Sequence, residues 1–423
     1  MHRTDRVRIT LFSFRAGARL ALAFGIAGFL GLSGCASEDA PDRAERQPVS
    51  ADSACDLGTV RLTQSFPGAP RSSCVRTGPA AFRLTIVPER PDINPSPWYA
   101  FDLHGRRTEA VPAAEVVLEY AESRHRYRPK RRTVDRGWQA LPEHAVSTSD
   151  DGREARLRIP LSADADGRQR IAAQEVLDVA DRRSWRREFA ERNGYSRSVI
   201  GESLQGRPIE ALHRASSVDD SPLVVIFGGQ HPPEVPGVLG HRAFMEGLER
   251  LVGESAELVD RIEWLFIPNL NPDGVEAGHW RLSAGGVDLN RDWGPFTQPE
   301  TRAARRAIAE RIDSGSRPIL LLDFHATRRD VLYLPAQSEA LDPTDLAGRW
   351  AGAIRQRMPS GEAFPQSRSH GVGRPTAKTW FADTFGRPGI TVEFGDETDR
   401  RHIDRLAGAA AEALADTLIE DGR

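Results

Sequence analysis

Hydrophobic and polar positions follow two different periods along this chain. In its first part, Phe82-Arg83-Leu84-Thr85-Ile86 and Arg156-Leu157-Arg158-Ile159 alternate apolar with polar residues, as a half-buried strand requires. Residues 98–103 and 116–120 are further strand candidates, and Pro91-Asp92-Ile93-Asn94-Pro95 and Ser149-Asp150-Asp151-Gly152 separate such runs as turns. Short strands broken in this way predict a small antiparallel β-sandwich over residues 54–170. From residue 171 to 423 the period changes: wholly apolar runs at 222–227, 264–267, 318–324 and 390–394 alternate with helix candidates at 237–252, 299–312 and 343–358. Continuous apolar strands between helices predict an α/β domain whose sheet is covered on both faces. Thr297 and Glu300, at the start of the second of these helices, form a capping pattern.

The first 35 residues fit neither period. Arg3, Arg6, Arg8, Arg15 and Arg19 form a positive leader ahead of an apolar run at 20–32, which is too short and too rich in alanine and glycine for a membrane span. The run ends in Leu32-Ser33-Gly34-Cys35, which resembles a bacterial lipobox. This predicts a signal peptide over residues 1–35, with Cys35 lipidated as the mature N-terminus; the alternative is an ordinary signal peptide with a chance cysteine. Residues 36–53 are polar and charged, a flexible tether. The expectation is an exported protein held in the bacterial cell envelope through its N-terminal lipid only. Ala36 and Ser37 resemble lipoproteins sorted to the outer membrane, facing the periplasm.

Composition adds two points. A net charge of −3 with 28% charged residues gives no sign of a nucleic-acid partner. Besides Cys35 there are two cysteines, Cys55 and Cys74, an even remainder that in an exported chain predicts a disulfide; two free buried thiols are the alternative. The basic stretch from Arg124 to Arg132 reads either as a docking patch for an anionic polymer or as a solvated loop or edge strand. Nothing in the sequence fixes an oligomeric state.

The chemistry gathers at strand ends. The apolar run 222–227 leads into Gly228-Gly229-Gln230-His231-Pro232-Pro233-Glu234, and Leu320-Leu321-Leu322-Asp323-Phe324 ends at His325. Histidine nitrogens and a carboxylate are ordinary zinc ligands, and a catalytic zinc takes three from the protein and leaves a position for water. Between them lie Asn271-Pro272-Asp273-Gly274, Gly278-His279-Trp280-Arg281 and Gly286-Val287-Asp288-Leu289-Asn290-Arg291-Asp292-Trp293, and Glu393 follows on the run 390–394.

In order and spacing these motifs resemble the zinc carboxypeptidases of the carboxypeptidase A type over residues 195–415. The nearest resemblance is to bacterial relatives of the cytosolic carboxypeptidases, which carry a β-sandwich ahead of the catalytic domain. It implies an α/β fold with a mixed central sheet and helices on both faces at residues 171–423, and one zinc per chain on His231, Glu234 and His325. It implies a peptide substrate with a free C-terminus, Glu393 as the base that takes a proton from water, and Arg281 as the group that stabilises the oxyanion. Asn290 and Arg291 would clamp the terminal carboxylate and Asp288 would orient a ligand histidine. The residues alone leave other readings: an Arg291–Asp288 ion pair, a surface Arg281, and Asp396 or Glu397 as the base. His241, His279 and His370 read as structural.

The chain also departs from the family. Digestive members carry a tyrosine on a mobile loop before the catalytic glutamate, whereas here the stretch is Ser369-His370-Gly371-Val372-Gly373-Arg374-Pro375. The position at the base of the side-chain pocket falls on Lys378, which favours an acidic terminal residue unless this lysine faces solvent; Arg374 is a second candidate. The expected function is therefore a zinc-dependent metallocarboxypeptidase acting on acidic or muropeptide ends. The alternatives are a zinc amidase cutting a γ-linked bond in cell-wall peptides, and a non-catalytic peptide- or wall-binding lipoprotein.

Overall fold

A computed structural model describes residues 54–421 apart from residues 71, 164–166, 253–254, 256–257, 259–260, 336–344, 369–370 and 372. The leader, Cys35, the tether and His370 lie outside the described residues. Among the described residues no helix is long and apolar enough to cross a membrane.

The alternating segments form two five-stranded sheets. In one, the order is Ser73–Gly78, Ala81–Ile86, Ala113–Tyr120, Glu154–Pro160 and Val146–Thr148. In the other it is Arg61–Thr63, Ala100–His104, Arg168–Ala172, Lys130–Thr133 and Gln139–Ala140. All pairs are antiparallel except Ala81–Ile86 with Ala113–Tyr120, which run parallel. Phe82, Leu84 and Ile86 from one sheet and Phe101 and Leu103 from the other share a single apolar core. Along Glu154–Pro160 every second residue is buried, the period-two signature that marked the strand in the sequence. Cys55 and Cys74 are joined as a disulfide with their Cα atoms 6.3 Å apart.

The second half is built on an eight-stranded mixed sheet. Its order is Ser196–Glu202, Pro208–Arg214, Glu263–Ile267, Pro222–Gly228, Arg317–Thr327, Gly389–Gly395, Val331–Tyr333 and Gln366–Ser367. The four central strands are mutually parallel. Helices cover both faces, which is why these strands are apolar throughout. On one face Phe244, Leu248, Trp350 and Leu414 pack on Val224, Ile226 and Leu322. On the other Ala304, Ile308 and Phe381 pack on Val225, Phe227 and Leu321.

One helix start differs from the capping expectation. The residue before Pro299–Asp313 is Gln298, whose side chain makes no cap bond. Asp292 instead accepts from the amides of Thr297 and Gln298 and from the hydroxyls of Thr297 and Thr301. Glu300 turns away to accept from Leu204 N at 3.3 Å. A carboxylate from the preceding loop thus does the work assigned to Thr297.

The helix Val235–Val252 presses unusually close to the sheet. A Cβ on Gly237 would lie 2.4 Å from His325 O, and one on Gly240 would lie 2.1 Å from a Phe394 ring carbon. This approach sets Glu234, one residue before the helix, against His325. Gly237→Ala should therefore cost about 1–3 kcal/mol in urea unfolding and lower the bound metal per chain. Unchanged metal content would show that the helix can move without disturbing the site.

Candidate active site

The site lies at the carboxyl ends of the parallel strands. The chain leaves Pro222–Gly228 toward Glu263–Ile267 on one side, and leaves Arg317–Thr327 toward Gly389–Gly395 on the other. A crevice opens where the order reverses, the usual ligand position in such sheets. Gly229, at φ 69°, turns the chain out of the first strand. That turn and the two prolines after His231 bring His231 and Glu234 back over the sheet end. His325 and Glu393 are register partners on neighbouring strands.

Glu234 stands between the two histidines. His231 Nδ1 is 2.8 Å from its Oε1, His325 Nδ1 is 2.8 Å from its Oε2, and the two Nδ1 atoms are 3.1 Å apart. The outer nitrogens are both held by carboxylates: His231 Nε2 by Asp288 Oδ1 at 2.9 Å, and His325 Nε2 by Asp323 Oδ2 at 2.8 Å. An ionised carboxylate only accepts, so Asp288 and Asp323 each take an N–H from an outer nitrogen. Burial opposes the charge of His325, but Asp323 and Glu234, on either side of its ring, raise the imidazole well above its ordinary value. The two inner nitrogens and the Glu234 carboxylate converge on one buried point, where a cation, a metal ion or protons, is needed to balance them. Their ligand atoms fall within 4.8 Å of one another, and two nitrogens with one carboxylate are the donor set of a catalytic zinc. The residues fit the metal.

The remaining predicted residues gather around this cluster. Asp288 accepts from His231 and, through Oδ2, from Arg281 Nε at 2.6 Å. Burial opposes its charge, but His231 and Arg281 hold its carboxyl well below the usual carboxylate range. Glu393 has one oxygen, Oε2, buried with no hydrogen-bond partner. Burial, aided by the neighbouring Glu234, pushes its carboxyl well above the ordinary value. His231, Glu234, Arg281, Asn290, Arg291, His325, Lys378 and Glu393 all line one cavity of about 160 Å³.

Within the cavity, Arg291 makes no ion pair among the described residues; its Nη1 donates to Asn290 O at 2.6 Å. Asn290 Oδ1 accepts from Ala377 N at 2.9 Å, and its Nδ2 lies 3.3 Å from His325 Nε2. Lys378 is buried, and burial pushes its ammonium down to about 8. Arg374 lies on the exposed side of the same wall.

The other two candidate carboxylates are engaged by partners. Asp396 is gripped on both oxygens by Arg126, and Glu397 takes Arg128 N at 2.9 Å and Lys130 Nζ at 3.2 Å. Within the basic stretch Arg126 and Lys130 pair with Asp396 and Glu397, while Arg124, Arg128 and Arg132 are exposed. His279 Nδ1 lies 3.0 Å from Leu282 O, a structural contact.

Sequence reading missed Asp323, although Asp-x-His along a strand places both side chains on one face. It also missed Asn94, Ser96, Arg126 and Tyr333 as cavity residues. The first three come from the sandwich, and no local pattern marks them.

Fold and site together define a metal-dependent hydrolase of the α/β class. The chain matches the zinc carboxypeptidase family over residues 183–399, more than half its length, and belongs to that family. Human cytosolic carboxypeptidase 6 is 27% identical over 141 residues, 31% of this chain and 28% of that protein. The inactive metallocarboxypeptidase ECM14 of Blastomyces gilchristii is 28% identical over 204 residues, 37% of this chain and 34% of that one. The chain thus spans about a third or less of these curated relatives. The metallo-carboxypeptidase from Burkholderia cenocepacia superposes with a TM-score of 0.69 at 18% identity, covering 86% of this chain and all of that one. The metallo-carboxypeptidase from Pseudomonas aeruginosa, in complex with (2-guanidinoethylmercapto)succinic acid, superposes at 0.66 with 21% identity, covering 86% and 100%. At these identities the likeness is one of fold.

The carboxylate behind His325 gives a direct test. Asp323→Asn should weaken zinc binding about 10- to 100-fold, measured by competition with a chelator. An unchanged affinity would mean that Asp323 does not orient the ligand.

Proposed function

We propose that the protein is a zinc metallocarboxypeptidase of the bacterial cell envelope, carried there by the leader and lipidated Cys35, that removes C-terminal residues from peptides with acidic ends preferred. The observation that carries this reading is the single cavity in which the metal cluster, the unpartnered Glu393 oxygen and Arg291 meet. Family membership does not by itself establish turnover, since one relative is named inactive; the residues of this chain must supply the argument.

Zinc on His231, Glu234 and His325 would supply Lewis-acid activation of water and of the scissile carbonyl. Glu393, which lines the cavity and has one oxygen without a partner, accepts the proton of the attacking water and hands it to the leaving amine. Arg281 is fixed through Nε by Asp288, which leaves its other N–H groups to meet the developing oxyanion. Arg291 and Asn290 Nδ2 hold the terminal carboxylate, a bidentate match for a guanidinium. Lys378, with Arg374 beside it, meets an acidic terminal side chain, in free peptides or in muropeptides. At neutral pH the Lys378 ammonium still holds its proton despite its burial.

The test is a panel of peptides with acidic, basic, apolar and diaminopimelate ends, each offered free and amidated. Stepwise trimming of free ends only is expected, and cleavage of amidated ends at the same rate would overturn the clamp. Cleavage confined to γ-linked bonds would move the assignment to the amidase reading. Lys378→Met should lower kcat/KM for acidic ends by about 30-fold or more and leave apolar ends unchanged. The preference for acidic ends should hold below about pH 8 and fade above it, as the lysine loses its proton. A preference that persists to pH 10 would assign the pocket charge to Arg374.

A further inference from the structure

The turn that carries Arg281 is held from the other domain. Glu89, just past the strand Ala81–Ile86 of the sandwich, directs its carboxylate at three consecutive backbone amides. Oε2 accepts from Trp280 N at 2.9 Å, while Oε1 accepts from Arg281 N at 2.8 Å and Leu282 N at 2.6 Å. Successive amides converging on one anion form a nest, and hydrogen bonds to a charged acceptor are about twice as strong as neutral ones. Neighbouring contacts grip the same segment. The Trp280 side chain is buried in the apolar core of the sandwich, Arg90 Nη1 donates to Gly286 O at 2.9 Å, and Gly68 N donates to Glu276 O at 2.9 Å.

Of these contacts, the Glu89 carboxylate is the one that bonds the Arg281 backbone amide itself. Its side chain is tethered at Nε by Asp288 at 2.6 Å, with Nη1 a looser 3.9 Å from Glu234 Oε1, and it lies in a run of irregular chain between the short helix Pro272–Ala277 and the turn at Leu289–Arg291. A guanidinium that stabilises an oxyanion must be placed before the charge develops. With its Cα free to drift, the tether at Asp288 would set one atom and leave the orientation open.

We propose that Glu89 is a positioning residue: the sandwich domain reaches into the catalytic half through this carboxylate to fix the Arg281 turn for transition-state stabilisation. Glu89 touches neither substrate nor metal. The proposal rests on the reading of Arg281 as the oxyanion group. It predicts that the sandwich contributes to kcat, not only to access or stability.

The test is a double-mutant cycle in the full-length zinc-loaded protein with a peptide substrate. Glu89→Gln keeps the shape but turns an amide N–H toward the nest, and should lower kcat about 10- to 100-fold with KM within about twofold. Zinc content should stay at the wild-type level. Arg281→Ala should lower kcat more, and adding Glu89→Gln to it should cost nothing further. In Glu89→Gly, acetate or formate should restore part of the lost kcat by occupying the nest, and this variant stands in if Glu89→Gln does not fold. If Arg281→Ala keeps wild-type kcat, the reading of Arg281 is wrong. If Arg281→Ala falls as expected while Glu89→Gln keeps wild-type kcat, the positioning role alone is overturned. Equal losses from Glu89→Gln in both backgrounds, or loss of zinc, would also overturn it, by showing a general structural role.

Discussion

Two imidazole nitrogens 3.1 Å apart, both turned toward the same carboxylate, set the terms for everything around them. Left to themselves, His231 and His325 would rotate to share a proton or to separate. They are prevented by Asp288 and Asp323, which bind the opposite nitrogens, and by the Gly237 helix, which keeps Glu234 within reach of both. The same carboxylate that orients His231 also holds Arg281, so the metal cluster and the Arg281 guanidinium are aligned through one residue, Asp288. Loss of that side chain would disturb both at once.

The sandwich does more than precede the catalytic domain. Arg126 holds Asp396, three residues beyond Glu393, on both oxygens, and Gln174 donates to the Asp396 carbonyl. Glu89 holds the turn that carries Arg281. These contacts bracket the cavity from two sides, and Asn94 and Ser96 complete its wall. They also tie both oxygens of Asp396 to Arg126, in contrast to Glu393, whose Oε2 has no partner.

Much of this was legible in the sequence wherever function and periodicity coincide. The central strands appeared as unbroken apolar runs because both faces are buried, and the ligand residues stood at their ends. The helix Val179–Asn193 was invisible for the opposite reason. Part of its buried face is made of Arg182, bonded to Leu177 O, Pro232 O and Asn269, and of Arg186, paired with Glu210, so it shows no apolar stripe. Residues whose partners lie far along the chain left no local mark: Glu89 lies 191 positions from Trp280, and Arg126 lies 270 from Asp396. Asp323 was within reach through its spacing from His325 but was read only as part of a strand.

The central claim is that one zinc and the Glu393 carboxylate perform the hydrolysis together. It is tested most directly by measuring zinc content and peptide hydrolysis on the purified protein, wild type beside Glu393→Gln. One zinc per chain in both proteins, with turnover in the wild type alone, is the predicted result. No zinc in either protein, or a variant that cleaves as fast as the wild type, would contradict the site and leave a peptide-binding role in its place.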